Sequence, residues 1–312
     1  MSFGLATLRD GRAVLVRDGN IIPLAEHGET RSALALLEDW DAALPALESL
    51  AAGAAGELIE DAEFAAPYVP RQIFCTGANY RKHVIGLIMG DPSMRTAEHE
   101  GISDEERRAR VEAMMDERAK ASLPFCFIKL PSCVVGPADA VVLPRNVEKP
   151  DWELELGVVI GRRARHVSPE QAMDHVAGFV IVNDVTAREH IFRKDGSAIG
   201  ADWLSGKCFP TFLPFGPMIV PRRFVTDPYA LNIRLSVNGK VYQDESTADM
   251  MISIERQIAY LSDRLELLPG DVICTGSPYG NGSAFGVYLQ AGDVMEGTIT
   301  GLGSQRNPCV SE

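Results

Sequence analysis

The sequence predicts a mainly β fold of the α+β type, on three observations. Short runs rich in β-branched and aromatic residues recur from Arg71 onward, and Gly and Pro punctuate them. Asn238-Gly239 stands between two alternating segments in "LNIRLSVNGKVYQ", which is a strong hairpin signal. Long helical periodicities are few. Many strands must therefore build the core, with helices at its edges.

Taken in order, residues 1–70 form a small N-terminal α+β domain. "FGLATLRDGRAVLVRDGNIIPL" carries Asp10-Gly11 and Asp18-Gly19 between short apolar segments, so it reads as a meander of tight hairpins. "TRSALALLEDWDAALPALESLAA" is helical in pattern, with Pro45 as a break or a new start. Pro67 and Pro70 mark the junction to a second domain, 71–312. There "QIFCTG", "PFCFIKL", "AVVLP", "ELELGVVIG", "VAGFVIVNDV" and "GDVICTG" read as strands. Neither an internal repeat nor a low-complexity tract is visible.

One stretch stands apart. "SDEERRARVEAMMDERAKAS", 103–122, opens with Ser103 three residues before Glu106, the spacing of a capping box. Val111, Met114, Met115 and Arg118 form a narrow stripe at helical spacing. With the weakly periodic residues before it, the stretch forms an insertion, 84–121, expected to act as a lid or as a surface or dimer helix.

Bulk properties narrow the function. The chain has 312 residues, 46% apolar and 23% charged, with a net charge of −13. Nucleic acid and anionic membranes both need a basic face, so neither is expected as a partner. A small anionic substrate needs only local positive charge. No apolar run approaches the roughly 20 residues that span a bilayer, and the first residues lack a signal-peptide pattern. The six cysteines are scattered without a C-x-x-C pair. Buried reduced thiols in a cytoplasmic protein are expected, rather than a thiolate zinc site.

The chemistry starts at "DWELELGVVIG", 151–161. Strand side chains alternate, so Glu153 and Glu155 point the same way, with roots roughly 6.5–7 Å apart. Two ionised groups at that separation repel by about 2–3 kcal/mol at an effective dielectric of 20. A solvent-washed face, basic partners or a cation between the acids would each make the pair tolerable. The next apolar run ends abruptly in Asn183-Asp184, which brings a third carboxylate to the rim of a buried strand. An all-oxygen set of this kind suits Mg²⁺, Mn²⁺ or Ca²⁺ rather than zinc.

Five segments in order resemble the fumarylacetoacetate hydrolase family: "CTGANYRKH", "LPFCFIKLPSCVVGP", "DWELELGVVIG" with "NDVTARE", "WLSGKCFPTFLPFGPMIV" and "LPGDVICTGSPYGNG". The resemblance covers residues 71–310. It implies a mixed β-roll core, a small N-terminal domain and a homodimer. It also implies a Mg²⁺ or Mn²⁺ site, with Ca²⁺ as a stand-in in crystals, whose ligands are Glu153, Glu155 and Asp184. The implied activity is hydrolysis of a carbon–carbon bond in a β-diketone or acylpyruvate-type diketo acid, through a metal-stabilised enolate. Decarboxylation or isomerisation of oxaloacetate-like enol acids at the same site is the alternative, and a non-catalytic metal-binding scaffold is the reading from another class.

In that scheme His83 is the base that activates water, and Lys207 neutralises the enolate or a substrate carboxylate. Thr275 and Gly276 are expected to turn backbone N–H groups toward an anionic oxygen. Arg81 reaches either a carboxylate of the substrate or a structural acid, and Lys129 is open in the same way. Departures from the family pattern concern the substrate side. Gly86 stands where hydrolytic members often carry a Glu; Glu98, Glu100 or an acid of 103–122 would have to replace it. Ile191, Pro210 and Ser277 also differ from the pattern. These changes and the long insertion lead us to expect a substrate bulkier or more apolar than the simplest acylpyruvates.

Overall fold

A computed structural model describes residues 2–58, 64–90, 101–192 and 200–312. Among them the strands form a ten-stranded sheet, a five-stranded sheet and two short pairs. The large sheet runs, edge to edge, through Glu57–Leu58, Asn20–Pro23, Ala13–Arg17, Gly4–Thr7, Met218–Pro221, Val176–Asn183, Leu154–Ile160, Val272–Cys274, Ile73–Gly77 and Phe125–Lys129. The smaller runs through Lys240–Ser246, Asn232–Val237, Val294–Ile299, Gly303–Ser311 and Val141–Leu143. Each contains one parallel pair, Val272–Cys274 with Ile73–Gly77 and Gly303–Ser311 with Val141–Leu143, so both sheets are mixed. The fold is mainly β with peripheral helices.

The hairpins follow from local chemistry. Asp18 and Gly19 have φ of 50° and 77°, and Asn238 and Gly239 have 52° and 78°. Positive φ at both central positions is what a two-residue turn needs to match strand twist, and Asn, Asp and Gly adopt it most readily. The first strands do not stand aside from the rest. Gly4–Thr7 pairs antiparallel with Met218–Pro221, Leu5 opposite Ile219, and so extends the sheet.

The N-terminal helices differ from expectation in one detail. They are Ala33–Glu38 and Trp40–Gly53, broken at Asp39 rather than at Pro45, which lies inside the second. Pro45 and Asp41 are both exposed, so water can satisfy the carbonyl that the missing N–H leaves free. The break at Asp39 lets Trp40 turn into the core.

Leu154–Ile160 is buried at every position because packing covers both faces of the sheet there. Leu154, Leu156, Val158 and Ile160 pack with Ile233, Leu235, Val237 and Met295 of the smaller sheet. On the other face Val159 joins Leu36, Leu37, Trp40 and Leu47 of the N-terminal helices. The contact between sheets is close: a Cβ on Gly297 would lie 2.7 Å from Leu154 Cδ1.

The described part of the insertion is two packed helices, Arg81–Gly90 and Asp104–Ala121. Ser103 caps the second by accepting the Glu106 N–H at 3.1 Å. Val84, Ile85 and Ile88 meet Val111 and Met115, and Met251 and Ile252 of the body close the cluster. Arg107 shares the buried stripe, whereas Met114 sits on its margin and is 40% exposed. Residues 91–100, including Glu98 and Glu100, lie outside the described residues. All six cysteines are free thiols.

Candidate metal centre

Glu153, Glu155 and Asp184 converge where two paired strands end. Leu154–Ile160 runs antiparallel to Val176–Asn183 with Leu154 opposite Asn183. Just beyond that pair, Asp184 N–H donates to the Glu153 carbonyl at 2.9 Å, and the Asn183 side chain accepts the Glu153 N–H at 2.9 Å. The antiparallel register therefore brings Asp184 beside the glutamate pair. One carboxylate oxygen from each of the three lies within 4.8 Å of the others, and all three residues are buried. They open on a cavity of about 780 Å³.

Basic side chains brace this set. Lys129 Nζ meets Asp184 Oδ1 at 2.7 Å and donates to the Val185 carbonyl at 2.9 Å. Lys207 Nζ bridges Glu153 Oε2 at 2.6 Å and Asp184 Oδ2 at 2.5 Å. Arg188 spans Glu153 Oε1 at 2.5 Å and Asp151 Oδ2 at 2.7 Å. Asp151 also accepts the N–H groups of Gly282 and Ser283, at 2.6 and 3.0 Å, and so ties that loop to the site.

The bracing is uneven, and the unevenness bears on a cation. Burial works against the charge on Glu153, but Arg188 and then Lys207 outweigh it and hold the carboxyl at about 2. Among the described residues Glu155 makes no ion pair, and its one hydrogen bond comes from Gly276 N–H at 2.8 Å. Burial, and then Asp184, Cys274 and Glu153, push its carboxyl well above the usual carboxylate range. Among the described residues four carboxylates, counting Asp151, face three cations, so Glu155 is left without a counter-charge and holds its proton instead. A divalent ion held by oxygen ligands supplies the missing charge, so the residues fit Mg²⁺ or Mn²⁺ chemistry.

His83 lies on the same cavity. His83, Gly86, Leu87 and Gly90 face it from one side of Arg81–Gly90, at i, i+3, i+4 and i+7. Burial pushes the imidazole down to about 4; Glu153 pulls the other way, and Arg188 and Lys207 reinforce the drop. The ring is therefore uncharged at neutral pH. Among the described residues it has no carboxylate partner of its own. Gly86 supplies no carboxylate, and a Cβ there would lie 2.7 Å from Tyr279 Cε2, so a larger residue would need the Tyr279 ring to shift. The acids of Asp104–Ala121 turn elsewhere: Asp116 to Arg81 at 2.9 Å, Glu117 to Lys120 at 2.9 Å, and Glu106 to Arg110 at 2.7 Å.

The structure decides between the two alternatives for Arg81 and redirects the expectations for Thr275 and Gly276. Arg81 does not reach the cavity; its guanidinium is taken by Asp116 on the neighbouring helix. Thr275 gives both its N–H and its hydroxyl to the Leu156 carbonyl, at 3.1 and 2.8 Å, so it fastens the ligand strand rather than meeting an anion. Gly276 turns its N–H to Glu155, not to the cavity. At φ +104°, with a Cβ position 2.9 Å from the Thr76 carbonyl, only glycine fits there. Sequence reasoning gave no role to Arg188, although "NDVTARE" contains it, or to the wall opposite. That wall holds Phe125, Phe127, Ile191, Phe192 and Trp203, with Phe127 stacked on Trp203 at 4.8 Å. The cavity is thus neither compact nor purely polar.

Residues 72–310 match the family model described as fumarylacetoacetate (FAA) hydrolase, C-terminal. This chain belongs to the fumarylacetoacetate hydrolase family. Among curated relatives, a mitochondrial oxaloacetate tautomerase of Xenopus laevis is 41% identical over 189 residues, covering 60% of this chain and 58% of the relative. A 2,4-didehydro-3-deoxy-L-rhamnonate hydrolase of Sphingomonas sp. (strain SKA58) is 44% identical over 186 residues, covering 59% and 64%. The chain thus spans somewhat under two thirds of the length of these relatives. Among solved structures, a probable 2-hydroxyhepta-2,4-diene-1,7-dioate isomerase from Mycobacterium abscessus superposes with a TM-score of 0.77 at 28% identity, over 100% of this chain and 99% of that one. A maleylpyruvate hydrolase from Sphingobium sp. SYK-6, solved with manganese(II) and pyruvate, gives 0.73 at 26% identity, over 100% and 99%. Among the described residues, no helix is long and apolar enough to cross a membrane.

Proposed function

We propose that the chain is a divalent-metal-dependent hydrolase that cleaves the carbon–carbon bond of a 2,4-dioxo acid. The observation that carries this reading is the buried carboxylate triad in which Glu155 lacks a counter-charge, sharing its cavity with an uncharged histidine. A bound Mg²⁺ or Mn²⁺ would act as a Lewis acid on the 2-oxo end of the substrate and stabilise the negative charge that bond cleavage leaves there. Glu153, Glu155 and Asp184 would hold it. Arg188, the Gly276 N–H and Lys129 each fix one of these carboxylates in place. His83 takes a proton from water at a ring nitrogen as the water oxygen bonds to the 4-oxo carbon; the C3–C4 bond then breaks, and C3 of the pyruvate fragment takes up a proton, leaving a carboxylic acid as the second product. Lys207 Nζ offsets negative charge at the carboxylates and at the departing pyruvate fragment. The stacked rings of Phe127 and Trp203 keep bulk water off that side.

The manganese and pyruvate in the maleylpyruvate hydrolase neighbour support this reading. The test is pyruvate release from 2,4-dioxopentanoate with Mg²⁺ present. We expect His83→Ala to lower the rate by about 10²–10⁴ and to leave Mg²⁺ affinity within twofold. Full activity in that variant would remove His83 from the mechanism.

One observation favours a second reading. Gly86 carries no side chain, and the nearby helical acids Asp116 and Glu117 are engaged, so His83 has no orienting acid among the described residues. Enol–keto proton transfer needs a base but no attacking water, and a tautomerase is among the relatives. Faster ketonisation of enol-oxaloacetate, without loss of carbon and without cleavage of 2,4-dioxo acids, would select it. The reading includes a homodimer. Supporting that, the edge strand Phe125–Lys129 and its flanks expose Leu123, Phe125, Ile128 and Leu130 at 66, 47, 53 and 39%. Light scattering that finds a monomer at micromolar concentration would remove that part.

A further inference from the structure

The helix Asp104–Ala121 carries five basic residues, and four are matched by acids. Arg107 meets Asp104, Arg108 meets Glu112 at 3.8 Å, Arg110 meets Glu106 at 2.7 Å and Lys120 meets Glu117 at 2.9 Å. Arg118 is the exception. Among the described residues its guanidinium has neither a hydrogen bond nor an ion pair, and it is the one cation of this helix that lines the cavity. It continues the buried stripe one turn beyond Met115, so the side chain is half-buried rather than washed by solvent.

Burial lowers the pKa of the Arg118 guanidinium. The ion pairs of the metal triad go to Lys129, Lys207 and Arg188 and not to Arg118. The C-terminal turn that carries Arg118 is fixed, because Arg256 donates to the carbonyls of Ala119 and Ser122, the latter at 2.7 Å. A partly desolvated guanidinium on a fixed turn is prepared for an incoming anion, and its fork of N–H donors matches a carboxylate. The rings of Phe125, Phe127 and Trp203 line the same cavity and suit an unsaturated or aliphatic middle segment.

We propose that Arg118 receives a second carboxylate at the end of the substrate remote from the triad, so that the site selects 2-oxo acids with a distal carboxylate. This rests on the reading of the triad as a metal site for 2-oxo acids. Arg118 acts on specificity and does not touch the reacting carbons.

The test uses the full chain loaded with Mg²⁺ and ligands that are not cleaved. Calorimetric titration compares 2-oxoglutarate, 2-oxoadipate and 2-oxopimelate with the 2-oxo monoacids of the same carbon number. In the wild type, at least one diacid should bind tenfold or more tightly than its matched monoacid. Arg118→Gln should bring that ratio to about one while leaving monoacid affinity unchanged, which also reports that the variant is folded. Arg118→Lys should keep part of the preference. Lys149→Gln, which removes a cavity cation seated over the Tyr288 ring, should keep it in full. Equal binding of diacid and monoacid by the wild type, or a preference that survives Arg118→Gln, would overturn the inference and leave the metal reading standing. If neither class binds, the 2-oxo acid reading fails and the inference fails with it.

Discussion

Glu155→Gln probes the site where its charges are least balanced. Glu155 is 2% exposed, accepts one backbone N–H, and meets no basic side chain among the described residues. Its carboxyl is pushed well above its ordinary value of 4.5 by burial first, then by Asp184, Cys274 and Glu153. In metal-free protein the folded state therefore keeps a proton that the unfolded chain releases. An acid raised in this way lowers stability as pH climbs from the ordinary value toward the folded one, by about 1.4 kcal/mol per unit. The side-chain amide of the Glu155→Gln variant has no proton to titrate in this range. Relative to the wild type, the metal-free variant should gain stability as pH rises above the ordinary carboxylate value, by no more than about 1.4 kcal/mol per unit and until the raised carboxyl ionises. Magnesium should reverse the ranking. At a hundred times its dissociation constant it should stabilise the wild type by about 2.7 kcal/mol, and at the same concentration it should leave the variant almost unchanged. Urea titrations followed by circular dichroism at pH 6, 7 and 8, in EDTA and in magnesium, measure both effects. Parallel pH dependences in EDTA, or equal stabilisation of the two proteins by magnesium, would refute the reasoning.

Two further predictions concern groups around the site. Lys129→Met removes the buried partner of Asp184 and should cost about 3 kcal/mol in metal-free protein, the low end for a broken buried pair because Lys207 still contacts Asp184; a loss below about 1 kcal/mol by urea titration would show that Lys129 is not a needed counter-charge. Cys208 is partly exposed, and hydrogen bonding from Cys133 lowers its thiol to about 6. At pH 7 it should be the first of the six cysteines alkylated by iodoacetamide, as read by peptide mass spectrometry. Faster labelling of Cys126, whose thiol burial pushes up, would contradict that order.

Local chemistry was legible in the sequence wherever a few adjacent residues decide the outcome. Asp18-Gly19 and Asn238-Gly239 form the turns that their tolerance of positive φ predicts. Ser103 caps the helix that its spacing to Glu106 announces. The spacing of Glu153 and Glu155 already put both acids on one face, and the cavity they share has that face as its wall. Less legible was the direction of groups whose partners are far along the chain. Arg81 pairs with a residue 35 positions away. The Thr275 hydroxyl reaches the Leu156 carbonyl, 119 positions away. Neither partner leaves a mark on the residues around it.

The sequence by itself determined the strand and turn pattern, the family and the three acids, because each rests on periodicity, backbone preference or residue type at short range. The tertiary structure decided what surrounds those acids. Register across two strands brings Asp184 to the glutamates, and the fold delivers Lys129, Arg188 and Lys207 to two of the three carboxylates while leaving Glu155 with a backbone N–H. It also decided that Arg118, alone among the basic residues of its helix, faces the cavity without an acid among the described residues. The physical reason is that charge balance in a buried site depends on distances through space, and a linear sequence does not contain those distances.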